Sequence, residues 1–257
     1  MSGSGNALIQ AIDLTKYYGG HRAAEGLNFA VHGGEIFGFL GPNGAGKTTT
    51  MKMIVGLLRP TRGRAIVNGH DVQEEPIAAK AASGYVPEEP HLYAKLSGRE
   101  FLRFVGDLFN VPADQVERRT GELLRIFDLS EAADNMIDSY SHGMRQKTAI
   151  AAALVHDPRV LVLDEPTSGL DPKSARLIKD FLRQMADRGA AIFLSTHILE
   201  IAERMCDRIG ILDEGRLIAA GTMDELREMS AGEASLEDIF LNLTGGAEYA
   251  EIAEVLR

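Results

Sequence analysis

Between a short apolar run, Glu35 to Leu40, and a helix-like run from about Lys47 to Leu57, the chain reads G-P-N-G-A-G-K-T over Gly41 to Thr48. This fits G-x-x-x-x-G-K-[ST] in the strand, turn and helix context that the pattern requires. Glycines let the backbone curl until successive N–H groups point inward, and the helix behind them adds the positive end of its dipole. The chemistry is a cradle for phosphate oxygens, built from Gly41, Pro42, Asn43, Gly44, Ala45, Gly46 and Thr49 around two reactive side chains. Lys47 is the point charge for β and γ phosphates. Thr48 offers a hydroxyl to Mg2+, which prefers oxygen ligands and keeps several waters.

A second polar cluster lies far downstream. V-L-V-L-D-E, Val160 to Glu165, is an apolar strand that ends in two acids, and strand ends are where α/β sheets place ligand chemistry. Asp164 is expected to reach the metal directly or through water. Glu165, on the opposite side of the pleat if the strand continued, is the candidate base for an attacking water. Because Pro166 follows, the same pair serves equally well as a helix cap when taken alone. The cradle upstream favours catalysis.

These groups need a scaffold of alternating strands and helices. Residues 7 to 13 and 23 to 31 are strand-like, and the R-P-T-R-G breaker ends the helix that follows the cradle. From Ser97 to about Asp128 the texture becomes amphipathic helix, with Phe101, Phe104, Val105 and Leu108 at spacings of three and four. β/α alternation then returns: a helix to about Val155, strand Val160 to Leu163, helix Pro172 to Asp187, strand Ala190 to Leu194, helix Ile198 to Cys206. The tail after Gly221 is helical, with Leu236, Ile239, Phe240 and Leu243 on one face. The expected fold is α/β of the P-loop NTPase type: a mainly parallel, doubly wound sheet, an N-terminal antiparallel β subdomain and a helical insertion. The expected division is a β/α core over 1–95, a helical subdomain over 96–139, the second half of the core over 140–220 and a helical tail over 221–257.

Composition narrows the setting. The 257 residues are 45% hydrophobic and 25% charged, which excludes disorder, and a net charge of −10 repels nucleic acid and anionic lipid. The longest apolar stretch, Ala149 to Val155, falls far short of the roughly 20 residues that cross a bilayer. The N-terminal M-S-G-S-G-N lacks the features of a secretory signal, so a cytoplasmic protein is expected. The single cysteine, Cys206, reads as a small filler on a helix in a reducing compartment.

Taken together, these residues resemble the nucleotide-binding subunit of an ABC transporter over nearly the whole chain. The resemblance implies ATP and Mg2+ as ligands, ATP hydrolysis, and further site residues. Tyr18 in L-T-K-Y-Y-G resembles the aromatic that stacks on adenine, with Tyr17 as the register-shifted alternative; either would otherwise be strand packing. Y-S-H-G-M-R-Q, Tyr140 to Gln146, stands where the family carries its L-S-G-G-Q signature. Ser141 and Gly143 would meet the ATP of a second ATPase subunit, a copy of this chain or a paralogue. In isolation Ser141 is an N-cap. S-G-L-D, Ser168 to Asp171, resembles the loop that crosses that dimer interface, and His197 in L-S-T-H resembles the switch histidine at the γ-phosphate.

Two departures stand out. G-Y-V-P-E-E-P puts Glu88 where the family carries a glutamine that senses γ-phosphate and membrane partner, offering a further oxygen to the metal. His142 and Met144 replace a glycine and the glutamine of the signature. With the terminal L-E-D-I-F-L-N-L-T-G-G, these departures resemble the exporter branch whose ATPase and permease are separate chains. The resemblance therefore implies an ATPase at the cytoplasmic face, held there by an integral membrane permease whose helix fits a groove walled by residues 89 to 139. The alternative is a soluble ATPase of the same fold acting without a permease. DNA-repair and translation ATPases of that kind need a coiled-coil insertion, a second ATPase copy or a basic face, none of which the sequence carries. A P-loop kinase or GTPase would leave the signature and switch segments unexplained.

Overall fold

The computed structural model describes residues 6–229 and 235–244. Two long strands, β1 (Ala7–Tyr18) and β2 (His21–His32), open the chain as an antiparallel hairpin that pairs Tyr18 with His21 across Gly19 and Gly20. Both outrun the expected 7–13 and 23–31. Asp13 sits at φ 48° at a register shift, its N–H donating to Asn28 Oδ1. That bulge interrupts the alternation that marks a strand in sequence without ending the strand.

Next comes the short β3 (Ile36–Leu40), every residue of it buried, and after the glycine loop α1 (Lys47–Ile54). This helix stops before the expected Leu57. Gly56 adopts φ 69°, with Gly56 N donating to Met53 O and Leu57 N to Lys52 O. These paired bonds satisfy the last carbonyls ahead of the proline breaker. The strands β4 (Arg62–Val67) and β5 (His70–Asp71) complete an antiparallel sheet of order β2-β1-β4-β5. Then α2 (Pro76–Ala81) leads into β6 (Ser83–Val86).

The helical insertion holds α3 (Gly98–Leu108) and α4 (Ala113–Ile126). Ser97 starts α3 with a full capping box: Glu100 N donates to Ser97 Oγ, and Ser97 N to Glu100 Oε2. Its buried face differs from the expected one. Phe101, Leu102 and Gly106 are buried, Phe104 is half-buried, and Leu108 is 63% exposed. The close approach of α4 sets this rotation, because a Cβ on Gly106 would lie 2.7 Å from Val116 Cγ2.

The chain returns through α5 (His142–Leu154), β7 (Val160–Asp164), α6 (Pro172–Asp187), β8 (Ala191–Ser195) and α7 (Leu199–Met205). A hairpin that the sequence reading did not resolve follows, β9 (Arg208–Asp213) and β10 (Arg216–Gly221), turning at Glu214 and Gly215, both at positive φ. Last come α8 (Met223–Met229) and α9 (Leu236–Thr244). On α9, Leu236 and Ile239 are buried, Phe240 is half-buried and Leu243 is 40% exposed; residues 230–234 and 245–257 of the expected helical tail lie outside the described residues.

The central sheet has the order β10-β9-β3-β8-β7-β6, parallel throughout except for the β9–β10 edge pair. Chain reversal by helices on both faces explains the parallel order. Alternation along β3 sends Phe37 and Phe39 toward the antiparallel sheet, where they cluster with Phe29 and Phe193 at centroid distances of 5.1–5.8 Å. Ile36 faces the other way, into the cluster that holds α5 and α6. A Cβ on Gly38 would lie 2.7 Å from Cys206 Sγ, so the cysteine fills space that only glycine leaves open. It does so from just past the end of α7, and burial pushes its thiol up to about 12.

Candidate functional site

The carboxyl ends of β3, β7 and β8 converge on one cleft of about 770 Å3, since parallel neighbours in register must deliver their loops to the same edge. The glycine loop occupies its floor. Gly46 caps α1 at φ 103°, and a Cβ there would sit 2.0 Å from Ala23 O, so conformation and space both demand glycine. Gly44, at φ 83°, has nothing within 4 Å of a built Cβ and leaves the backbone open to the cleft. Gly41, Pro42, Asn43, Gly44, Gly46, Lys47, Thr48 and Thr49 all line it. Ala45 does not: its side chain is buried in the core between the sheets.

Lys47 Nζ donates to Gly41 O at 2.7 Å and Pro42 O at 3.1 Å, so the ammonium lies folded over its own loop. Burial lowers its pKa, and the nearby charges of Glu165, Asp164 and Glu88 oppose that shift. Thr48 Oγ1 donates to Asp164 Oδ2 at 2.7 Å across 116 residues of sequence. Ser195 donates its hydroxyl to Asp164 Oδ1 and accepts Glu165 N at 3.1 Å. These three contacts fix the acid at the end of β7.

Glu165 departs from the geometry of a continuing strand. Its φ of 49° turns the backbone out of the pleat directly after Asp164, a conformation that is costly for a residue with a Cβ. The turn brings its carboxylate into the cleft, with the side chain only 8% exposed, where Oε2 meets His197 Nδ1 at 3.0 Å. His197 itself is 59% exposed at the side chain. Neither acid caps a helix. Asp171 holds that role for α6, accepting Ser174 N at 3.0 Å.

The two tyrosines separate cleanly. Tyr18 lines the cleft and is 50% exposed, whereas Tyr17 donates its hydroxyl to Glu25 Oε1 at 2.6 Å. That bond and Arg216 bring the Glu25 carboxyl down to about 2. Glu88, on the loop after β6, also lines the cleft. Ser141 and Gly143 do not line the cleft of their own chain. Ser141 is the N-cap of α5, accepting Met144 N at 3.3 Å, and His142 Nε2 lies 3.4 Å from Ser168 O.

Sequence reasoning missed His21, Ala23, Thr196, Leu199 and Phe240 in the lining, and Ser195 beneath it. Ser195 and Thr196 carry the signal that exposed Asp164, polar side chains at the end of an apolar strand. Phe240 carries none, because an amphipathic helix face does not reveal what it faces.

Comparison with known proteins gives a consistent picture. The ABC transporter family matches residues 24–168, more than half of the chain. The chain is 39% identical over 243 residues to the probable multidrug ABC transporter ATP-binding protein YbhF of Escherichia coli (strain K12), covering 93% of this chain but 42% of YbhF. It is thus similar to less than half the length of that relative. It is 38% identical over 230 residues to the linearmycin resistance ATP-binding protein LnrL of Bacillus subtilis (strain 168), covering 90% of this chain and 74% of LnrL. A solved ATP binding subunit of an ABC transporter superposes with a TM-score of 0.88 at 37% identity, covering 92% of this chain and 99% of that one.

Proposed function

The chain belongs to the ABC transporter family as an ATP-binding domain, and from that premise we propose that it binds and hydrolyses ATP to drive export through a separate integral membrane permease. The observation that carries the reading is the assembly of Lys47, Thr48, Asp164, Glu165 and His197 in one cleft. A triphosphate laid along the glycine loop draws the Lys47 ammonium away from the Gly41 and Pro42 carbonyls onto its own oxygens. Tyr18 stacks on the base. The Thr48 hydroxyl and the Asp164 carboxylate, already paired, are the hard oxygen donors that suit Mg2+. Bound there, the metal would neutralise phosphate charge. Glu165 accepts the proton of the attacking water, and His197, 3.0 Å from Oε2, orients that carboxylate and reaches the terminal phosphate. Ser141 and Gly143 act on the nucleotide of a second subunit, since they stand outside their own cleft.

The partner surface is an apolar groove of about 480 Å3 between core and helical insertion, lined by Leu57, Pro87, Leu92, Phe101, Val105 and Phe109 among others. Tyr85 and His156 line it as well, although Tyr85 Oη and His156 Nδ1 are themselves buried and have no hydrogen-bond partner among the described residues. One loop serves both places: Glu88 faces the nucleotide cleft while Pro87, Pro90 and Leu92 face the groove. No helix among the described residues is long and apolar enough to cross a membrane. Attachment at the cytoplasmic face through the permease follows in this reading. The division at 95, 139 and 220 then separates nucleotide core, partner-facing helices, second half of the core and tail.

Copurification in detergent tests the reading as a whole. A multi-span membrane protein should accompany the tagged chain, and MgATP hydrolysis should depend on it or rise with it. A chain that hydrolyses ATP fully with no membrane partner would overturn it. Glu88→Gln is expected to leave ATP affinity within about twofold while shifting the Mg2+ concentration for half-maximal hydrolysis, because one anionic oxygen is lost beside the metal. Titrating Mg2+ against phosphate release checks this; an unchanged curve removes Glu88 from the metal shell.

A further inference from the structure

One wall of the cleft belongs to none of the segments assigned to the nucleotide. Phe240 of α9 and Leu199, the first residue of α7, line it together with the cradle, Glu165 and His197. Leu236 and Ile239 anchor α9, both fully buried in a cluster with Leu40, Ala202, Ile209 and Ile211. Phe240 packs at the edge of that cluster, stays half-buried and is part of the cleft lining. Because α9 packs on α7, and α7 begins two residues after His197, the ring enters from the His197 side. Tyr18 and His21 enter from the antiparallel sheet.

We propose that the C-terminal helix α9 is part of the nucleotide site, with Phe240 as a direct contact for the bound nucleoside triphosphate, so that nucleotide occupancy and the seating of α9 are coupled. The proposal rests on the nucleotide-binding reading above. An aromatic ring left partly exposed in a cleft gains by being covered, and a ligand that covers it holds the helix that carries it. Coupling of this kind is reciprocal: loosening α9 weakens nucleotide binding by the factor through which nucleotide tightens α9.

The chain contains no tryptophan, so Phe240→Trp installs a single indole, excited apart from the tyrosines, in the full-length protein. ATP added in EDTA, without hydrolysis and at concentrations where size exclusion shows monomer, should shift the emission of this variant's indole and saturate at the dissociation constant measured by calorimetry. Leu243→Trp, on the same helix and outside the cleft lining, should respond less, since it reports the seating of α9 without the contact. Phe240→Ala should weaken ATP binding about tenfold, and Phe240→Leu about threefold, the first corresponding to about 1.4 kcal/mol. Should the Phe240→Trp variant fail to fold, the two affinity measurements decide alone. ATP binding to Phe240→Trp with no change in its emission, an equal shift in Leu243→Trp, or Phe240→Ala affinity within twofold of the parent would each overturn the contact. A parent chain that gives no calorimetric signal with ATP would overturn the nucleotide-binding reading and this proposal with it.

Discussion

Glu165→Gln is expected to bind MgATP and leave it uncleaved, with phosphate release falling by about 10²- to 10⁴-fold, the usual contribution of a positioned general base. The substitution keeps size, shape and hydrogen-bonding capacity, and glutamine meets the same φ of 49° that glutamate already adopts, so the turn after β7 should survive. What disappears is the basic oxygen that faces His197 Nδ1 at 3.0 Å and would take the proton of the attacking water. A second consequence follows from Ser141 and Gly143 standing outside their own cleft. If they bind the ATP held by another chain, an uncleaved nucleotide bridges two subunits and shifts monomer toward dimer by mass action. Phosphate release and size-exclusion chromatography with and without MgATP measure the two effects separately. Near-normal turnover would remove Glu165 from catalysis. Lost turnover without dimerisation would keep Glu165 but count against the two-chain site, unless a paralogue is the required second subunit.

Lys47→Ala should lose most nucleotide affinity, by about 10- to 150-fold, the range corresponding to one charged hydrogen-bonding contact of about 1.5–3 kcal/mol. Folding should be little affected. Among the described residues the ammonium bonds to its own loop, at Gly41 O and Pro42 O, and the glycine geometry behind it is set by Gly46 against Ala23. Removing the cation also takes away a positive charge close to Asp164, Glu165 and Glu88, and an incoming triphosphate would add to the negative charge left there. Calorimetric ATP titration beside thermal unfolding separates the outcomes. Unchanged affinity in a folded variant would refute the assignment, and loss of fold would show Lys47 to be structural.

Much of the scaffold was readable because it rests on local periodicity. The buried runs of β7 and β8 and the 16-residue α6 announce themselves by composition, and the observed α6 matches its expected limits. The misreadings share a cause in contacts between distant segments. The rotation of α3 that exposes Leu108 is fixed by Val116 of α4 against Gly106. The bulge at Asp13 is held by Asn28 across the hairpin, and β9 gains strand character by pairing with β3.

The same boundary divides the site. The sequence alone determined the glycine cradle, its lysine and threonine, and two acids at the end of an apolar strand, because each of these depends on neighbours within a few residues. Tertiary structure decided that Asp164 belongs to Thr48 and Ser195, that Glu165 turns out of the strand to face His197, that Tyr18 and not Tyr17 reaches the cleft, and that Phe240 closes another wall. Those pairings join residues tens to more than a hundred positions apart. Strand order and helix packing set them, and no local pattern of residue types encodes which distant side chain will arrive.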